Sequence, residues 1–400
     1  MPAVMAVRNA AVAATGTCPD PDDGIRYPAG EVGTRGGVPP MRGGPGRPPG
    51  RPGMDADRSA PLTVRAGPSP ASPPDDGSVS VPIMLAAFVS TPAPKDPLSV
   101  LEVGDRPEPE APDGWTTIQV KAASLNHHDL FSLRGVGLPA EKMPMTLGCD
   151  AAGVDEDGNE VVVHAVISSA DWTGDETLDP RRSLLSEVHQ GTLAERVAVP
   201  RRNLLPKPPE LSFAEAACLP TAWLTAYRML FVRSGLRPGQ TVLVQGASGG
   251  VATALIVLGR AAGYRMWVTG RSEGKRAAAL ALGADQAFET GARLPERVDG
   301  VMETVGEATW SHSVKSLKPG GVLVTSGATT GFNPGAELNR IFFTQLSVIG
   351  STMGTRAELE SLIQMCRVTG IRPQIDVELP LAQARDGFER MLEGRTAGKI

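Results

Sequence analysis

The sequence predicts an α/β fold, in which a mainly β-stranded region precedes a doubly wound parallel sheet. From Leu236 onwards, apolar β-branched runs alternate with helical segments. That alternation is typical of parallel strands joined by crossover helices. Between residues 84 and 220 the pattern is one of short strands and turns, which predicts a partly open β-barrel.

The first 83 residues form a Gly/Pro/Arg-rich extension that we expect to be disordered. Its densest part is Gly36–Pro52, and it has almost no apolar periodicity, so it could not bury enough surface to offset the entropy of ordering. Met84 opens the first strand-like run. We therefore expect translation to start near Met84, with the preceding residues an annotation artefact or a dispensable extension.

Composition excludes several classes of function. The chain has 39 Lys and Arg against 44 Asp and Glu, and this acidic balance argues against nucleic acid as a partner. Residues 1–9 are too weakly apolar for a secretory signal, and no stretch is apolar for long enough to cross a bilayer. The four cysteines, Cys18, Cys149, Cys218 and Cys366, are widely spaced, which predicts reduced thiols in a cytoplasmic protein.

The barrel region contains three clear strands and two helix starts. Trp115–Ala122 alternates as a half-buried strand, Glu160–Ile167 is typical of a buried strand, and Leu193–Val199 ends at Pro200. A capping box at Ser212–Glu215 starts one helix. Pro220 starts a second, from Thr221 to about Arg233.

The second region supplies the alternating elements of the parallel sheet. In order, the sequence predicts a strand to Gly246, a helix to Ala262, a strand to Thr269, a helix to Leu282, a strand at Val298–Met302, a helix near Trp310, a turn at Lys318–Gly321, and strands at Val322–Gly327 and Ser347–Gly350. Two further helices follow, one from the capping box Thr355–Glu358 and one over Leu381–Leu392, and a final short strand is expected at Gly398–Ile400.

The glycine-rich run between the first strand and helix of this region predicts a dinucleotide site. Gly246 permits a tight exit from the strand, Gly249 and Gly250 let the backbone approach a pyrophosphate, and the helix starting at Val251 offers free N–H groups. Such runs also occur in ordinary turns, but the flanking strand and helix favour cofactor binding. The predicted cofactor contacts are Gly246, Ser248, Gly249, Gly250 and Val251.

The end of the next strand indicates which cofactor binds. Proteins that select NAD usually place a carboxylate there, whereas this chain has Gly270, followed by Arg271, Ser272 and Lys275. Two cations and a hydroxyl suit a 2′-phosphate, so we predict NADPH. The alternative is that Lys275 and its neighbour merely solvate the outer face of the next helix, with Ser272 as the N-cap.

Several motifs together resemble the medium-chain dehydrogenase/reductase superfamily, in particular its quinone oxidoreductase and enoyl reductase-like branch, often labelled zinc-binding dehydrogenase. The matching segments are Ala123–Asp129, Leu147–Val154, Gly246–Ala252, Leu282–Asp285, Leu317–Gly321, Ser326–Gly331 and Gly350–Gly354. The resemblance implies a GroES-like catalytic domain over residues 84–221, a Rossmann NADPH-binding domain over 222–350, and a return segment of the catalytic domain over 351–400. It also implies a cleft between the domains, a small-molecule substrate and a homodimer.

The resemblance also allows the zinc label to be tested residue by residue. Metal-dependent members take their zinc ligands from a Cys, a His and a second Cys, and here Asn126, Cys149 and Thr221 stand near those positions. The segment from Ala165 to Gly191 contains no cysteine. An amide, one thiol and a hydroxyl bind zinc poorly, so no metal is predicted; His127 and His128 are interpreted as a packing or hydrogen-bonding pair.

Without a Lewis acid, reduction of a conjugated C=C bond is easier than reduction of an isolated carbonyl, because the charge moves to an oxygen that hydrogen-bond donors can stabilise. We predict Asn126 and His128 as these donors, with Tyr227 or a water as the proton source. Each has a structural alternative: Asn126 completing a turn, Asp129 bracing the loop, Cys149 as a small buried residue. Gly327, Ala328 and Thr329 are predicted to meet the nicotinamide carboxamide.

These patterns predict a zinc-independent, NADPH-dependent oxidoreductase that reduces activated C=C bonds or quinones. Two alternatives stay open. One is an alcohol dehydrogenase with an atypical or absent zinc site, and the other is a protein that binds NADPH without turnover.

Overall fold

The computed structural model describes residues 82–400. The predicted disorder of the extension falls on residues 1–81, which lie outside the described residues. Ten short strands build the first part of the described chain. They are β1 Ile83–Val89, β2 Leu101–Pro107, β3 Trp115–Ser124, β4 Met145–Thr146, β5 Asp150–Val154, β6 Glu160–Val163, β7 Val166–Ile167, β8 Ser183–Leu184, β9 Arg196–Pro200 and β10 Leu204–Pro206.

These strands form the predicted barrel from antiparallel sheets. Sheet order is β2-β1-β4 in one, β10-β6-β5-β3-β9 in a second, and β7-β8 in a third. Strand β3 lies between β5 and β9, and its alternation turns Ile118 inward, against Val197 and Val199, while Gln119 and Lys121 face solvent. Two short helices, α1 His127–Leu133 and α2 Phe213–Ala217, follow β3 and β10; α2 starts at the predicted capping box.

The second part contains a six-stranded parallel sheet, which confirms the predicted Rossmann architecture. Its strands are β11 Thr241–Val244, β12 Arg265–Gly270, β13 Gln286–Glu289, β14 Val298–Glu303, β15 Leu317–Thr325 and β16 Ser347–Gly350. The strand order is β13-β12-β11-β14-β15-β16. Strands β12 and β13 are added on one side of β11, and β14 to β16 on the other, and ligands of such sheets bind at the switch point between β11 and β14.

Helices cover both faces of the parallel sheet. They are α3 Leu224–Tyr227, flanked by wider helical turns at Leu219–Trp223 and Arg228–Arg233, then α4 Gly250–Ala261, α5 Glu273–Ala281, α6 Glu307–Ser316, α7 Leu338–Phe343, α8 Arg356–Thr369 and α9 Ala384–Leu392. Helix α4 is buried along most of its length, including Leu255, Ile256 and Leu258. No helix within residues 82–400 is both long and apolar enough to cross a membrane.

The turn predicted at Lys318–Gly321 forms as a break in the strand pairing within β15. Leu317 pairs with Val298 and Val322 pairs with Gly300, so residues 318–321 have no partner in β14, and Gly320 takes a φ of +75°. Strand β13 and helix α7 were not predicted, since neither has a strong apolar period.

The C-terminal segment returns to the barrel and completes its wall. Ile375 bridges to Lys399, and the Ile400 carbonyl accepts a hydrogen bond from the Leu125 N–H. Helix α8, by contrast, adds Leu359 and Leu362 to the apolar core that also contains α4. The domain boundaries inferred from the resemblance, including the one at residue 350, stay a prediction.

Candidate active site

A cleft of about 390 Å³ opens at the switch point of the parallel sheet. Gln245 and Gly246 follow β11 on its floor, Thr304 follows β14, and Ser326 follows β15. Helix α1 of the barrel region forms the opposite wall through His127, His128 and Phe131, and Lys399 lies at one end. The chain therefore places the predicted cofactor turn and the predicted catalytic segment on two sides of one cavity.

The cofactor turn has the geometry that a dinucleotide requires. Gly246 has a φ of +97°, a conformation that side chains other than glycine rarely adopt. A Cβ added to Gly249 would meet no atom within 4 Å, so the space beside it is open. The N–H groups that begin α4 face this space, and they suit a pyrophosphate. The residues present therefore fit a dinucleotide.

The predicted 2′-phosphate residues gather at the carboxyl end of β12. Lys275 Nζ donates to the Gly394 carbonyl at 2.6 Å, and the Arg271 guanidinium also approaches Gly394. Burial and the Arg271 charge lower the pKa of Lys275. Within residues 82–400 neither cation forms an ion pair with a carboxylate, so two positive charges stand together without compensation.

Ser272 is the N-cap of α5, as the alternative interpretation held. Its Oγ accepts a hydrogen bond from the Lys275 N–H at 3.4 Å. The hydroxyl proton is still free to donate, so capping the helix and binding a phosphate are compatible. Gly270 lets the end of β12 lie close to Ala247, because a Cβ added at Gly270 would lie only 3.0 Å from the Ala247 Cβ.

Asn126 begins α1, and its side chain is held by a buried charged network. Its Oδ1 accepts from Lys399 Nζ at 2.6 Å, while its Nδ2 donates to Asp150 Oδ2 at 2.8 Å and, less closely, to the Ser124 carbonyl at 3.3 Å. Lys399 also donates to the Leu125 carbonyl at 2.7 Å. The amide thus lines the cleft with its polar atoms already bound by protein.

His128 lies in the cleft wall with both ring nitrogens in contact with protein groups. Nε2 is 2.9 Å from Glu187 Oε1, and Nδ1 is 3.3 Å from Cys149 Sγ. Burial opposes the charged ring, but Cys149 and the Glu187 carboxylate outweigh it, and the pKa of His128 is raised well above its usual value. Contact with the Glu187 carboxylate therefore favours the charged form of the His128 imidazole.

Asp129 and Cys149 have the structural roles that the sequence analysis gave as alternatives: Asp129 braces a loop, and Cys149 is a small buried residue. Asp129 is fully buried and accepts from the Asn126 and Gly148 N–H groups at 2.7 and 3.0 Å, so it braces the loop between α1 and β5. Burial raises the pKa of Asp129 to about 6. Burial also raises the pKa of Cys149, whose thiol donates to the Leu185 carbonyl.

The structure does not bring Tyr227 to the cleft. Its ring packs against Phe231 at 4.9 Å between centroids, in the apolar core, and it is absent from the cleft wall. His127, interpreted from the sequence as a packing or hydrogen-bonding residue, does line the cleft. Burial of the ring in the cleft wall, Lys399 and Arg134 lower the pKa of His127, which favours its neutral form.

The segment after β15 forms the wall where the carboxamide contacts were predicted. Gly327, Ala328 and Thr329 all line the cleft beside Ser326. The segment after β15 is held in place by the Thr330 N–H, which donates to the Val305 carbonyl at 2.8 Å. This wall stands directly beyond the cofactor turn, at the carboxyl ends of β14 and β15.

The three residues near the zinc-ligand positions of related enzymes do not fit that metal. The Asn126 oxygen is occupied by the Lys399 ammonium, and a second cation close to it would be repelled. Thr221 Oγ1 is buried without a hydrogen-bond partner, and a neutral hydroxyl is a weak zinc ligand. Cys149 alone does not make a site.

Glu187 and Lys399 were missing from the sequence-based site. Glu187 is 59 residues from His128, and no motif in the sequence marks it. Lys399 lies in the closing Gly398–Ile400 motif, which was expected only to form a strand. The barrel turn after β8 and the returning C-terminus bring these charges to the cleft.

Comparisons with known proteins agree with this architecture. Residues 112–209 match the alcohol dehydrogenase GroES-like domain, and residues 250–367 match the zinc-binding dehydrogenase family. An alcohol dehydrogenase from Geobacillus stearothermophilus is 28% identical over 334 residues, covering 76% of this chain and 96% of the relative. An acryloyl-coenzyme A reductase from Metallosphaera sedula is 29% identical over 321 residues, covering 75% and 95%.

A solved structure of an NAD-dependent alcohol dehydrogenase superposes with a TM-score of 0.73 at 33% identity, covering 79% of this chain and 98% of that one. The likeness extends over both the barrel and the parallel sheet. This chain belongs to the zinc-binding dehydrogenase family of medium-chain dehydrogenase/reductase oxidoreductases.

Proposed function

We propose that this chain is a zinc-independent, NADPH-dependent oxidoreductase that reduces activated C=C bonds, of enoyl-thioester or quinone reductase type. The observation that carries the proposal is the Lys399 ammonium 2.6 Å from Asn126 Oδ1, next to the position where metal-dependent relatives hold zinc. The relative named acryloyl-coenzyme A reductase supports the thioester class.

The bound nicotinamide would supply the hydride, and the residues of the chain would manage charge and protons. His128, held by Glu187, is the proposed proton source at the cleft wall. The Asn126 amide has one long bond, to the Ser124 carbonyl at 3.3 Å, and exchanging that bond for the substrate oxygen would stabilise its negative charge. Gly327, Ala328 and Thr329 are the proposed contacts of the carboxamide, and Gly246, Ser248, Gly249, Gly250 and Val251 those of the pyrophosphate.

NADPH is preferred in this proposal because Arg271 and Lys275 carry uncompensated charge beside Gly270. We expect Arg271→Ala to weaken NADPH binding by about 10- to 100-fold, since a charge-assisted hydrogen bond contributes about 1.5–3 kcal/mol. NADH binding should change by less than about threefold. Titration of both cofactors by fluorescence measures the difference, and an equal loss for both would place the 2′-phosphate elsewhere.

Oxidation of NADPH and NADH across a panel of acceptors tests the proposed reaction. The panel should contain crotonyl- and acryloyl-coenzyme A, quinones, enals, and simple ketones and alcohols. Metal-free protein should reduce a conjugated acceptor at an undiminished rate. Chelator-sensitive alcohol oxidation with one zinc per chain would favour the alcohol dehydrogenase alternative, and cofactor binding without oxidation would favour a protein without turnover.

We also propose a homodimer formed through the edge of the parallel sheet. Within the described residues β16 pairs only with β15, and Val348 on this edge strand is 41% exposed. Phe342 and Phe343 of α7 are 62% and 77% exposed nearby in the chain. An unpaired edge beside exposed aromatic rings suits a second copy. Light scattering should give twice the chain mass for the wild type, and the monomer mass for Val348→Lys.

A further inference from the structure

Four side chains form a thiol–imidazole cluster behind the cleft wall: His128 of α1, Cys149 before β5, and Ser186 and Glu187 after β8. Cys149 Sγ lies 3.3 Å from His128 Nδ1 and 3.7 Å from Ser186 Oγ, and Ser186 Oγ lies 3.4 Å from His128 Nδ1. Three donor atoms of different chemistry therefore form a nearly equilateral triangle.

The edges of this triangle match those of a tetrahedral zinc shell. With Zn–S near 2.3 Å and Zn–N or Zn–O near 2.1 Å, tetrahedral angles put neighbouring donor atoms about 3.4–3.6 Å apart. A carboxylate oxygen of Asp129 lies within 4.8 Å of the Cys149 and His128 atoms, and can complete the set. Cys149 and Ser186 are buried, and His128 lines the cleft, from which an ion can reach the site.

Two further features suit a metal shell. The other ring nitrogen of His128, Nε2, lies 2.9 Å from Glu187 Oε1. In metal sites, a carboxylate in this position fixes the orientation of an imidazole that binds the metal through its opposite nitrogen. Ser186 is buried at a φ of +64°, a left-handed conformation that is strained in a residue other than glycine. The backbone thus holds its hydroxyl toward the thiol and the imidazole.

We propose that the thiol–imidazole cluster binds one Zn²⁺ through Cys149 Sγ and His128 Nδ1, with the Ser186 hydroxyl as a weaker third ligand, and that this ion inhibits the reductase. The ligand set differs from the Asn126, Cys149 and Thr221 positions, since His128 and Ser186 take the places of Asn126 and Thr221. On binding, the Cys149 thiol gives its proton to solvent and bonds the ion as a thiolate, and the imidazolium form of His128 loses its Nδ1 proton to solvent and bonds the ion as a neutral imidazole. The ion occupies the ring nitrogen of His128 and removes its proton-donating role. The inhibition rests on the proposed function, whereas the binding does not.

Binding is tested on the full chain with Zn²⁺ alone, by calorimetry against a competing chelator, and with Co²⁺ as a spectroscopic substitute. We expect one ion per chain, and a Co²⁺ complex with a thiolate charge-transfer band and tetrahedral visible bands. Cys149→Ala should weaken Zn²⁺ at least about 100-fold and abolish the charge-transfer band. The matched control is Cys366→Ala, a buried cysteine of α8, which should bind as the wild type does. Equal Zn²⁺ binding by wild type and Cys149→Ala would overturn the site.

Two milder variants keep the test decisive if Cys149→Ala folds poorly. Ser186→Gly removes the hydroxyl and relieves the left-handed conformation, so the protein should be at least as stable while Zn²⁺ affinity falls about 10-fold. Glu187→Gln should weaken Zn²⁺ by about 10- to 100-fold, as loss of an outer-shell carboxylate does. Unchanged Zn²⁺ affinity in both variants would contradict the proposed ligands.

Inhibition is measured separately, as NADPH oxidation with the best acceptor while free Zn²⁺ is varied. The wild-type rate should fall as the site fills, recover with chelator, and fall less steeply in Ser186→Gly. A rate that rises with Zn²⁺ would overturn both the inhibition and the zinc-independent function. If no acceptor is reduced, the proposed function and its inhibition both fail, and the binding measurements still decide whether the site exists.

Discussion

Lys399→Met is expected to lower the free energy of unfolding by about 3–5 kcal/mol, the range for removing one partner of a buried ion pair. Lys399 is 3% exposed and Asp150 is fully buried, with 3.4 Å between Nζ and Oδ2. Methionine keeps most of the stem that packs against Gly250, but it leaves the carboxylate with only neutral donors, from Ser124 and Asn126. Urea unfolding monitored by circular dichroism measures the change.

The double variant Lys399→Met with Asp150→Asn is the control for this effect. It removes both charges, so the uncompensated carboxylate disappears and at least about half of the lost stability should return. A double variant no more stable than Lys399→Met would mean that packing, rather than the buried charge, accounts for the loss.

Gly249→Val is expected to abolish NADPH binding, with a loss of about 100-fold or more, while leaving the protein folded. The backbone there, at φ −72° and ψ 161°, is open to any residue. No protein atom lies within 4 Å of an added Cβ, so the valine branches would fill only the space proposed for the pyrophosphate. Calorimetric titration with NADPH and thermal melting without cofactor test the two halves of this expectation.

Gly104→Val provides the matched control for Gly249→Val. Gly104 lies in β2, also without an atom within 4 Å of an added Cβ, and outside the cleft wall. The Gly104→Val variant should bind NADPH as the wild type does. NADPH binding by Gly249→Val at wild-type strength would show that the pyrophosphate does not lie against this turn.

The parts of the fold that were predicted well depend on neighbours in the chain. The capping boxes at Ser212 and Thr355 both form, because each needs only a residue three positions away. The local Pro-Gly-Gly pattern likewise predicted the break at residues 318–321, but it does not reveal that the chain pairs with β14 on both sides of that break. Tyr227 shows the same limit in the site, because neighbouring residues do not reveal which side of its helix faces the core.

The sequence alone determined the alternating α/β order, the glycine-rich turn at Gly246 and the cationic strand end at Arg271, because backbone conformation, helix ends and neighbouring charges are local properties. Only the tertiary structure decided that Lys399 holds Asn126, 273 residues away, and that Glu187 binds His128. Those contacts join segments that are far apart in the chain, and their distance along the chain does not predict their distance in space. The physical reason is that burial and hydrogen-bond geometry, which set charge and reactivity at the cleft, exist only once the barrel and the parallel sheet have packed together.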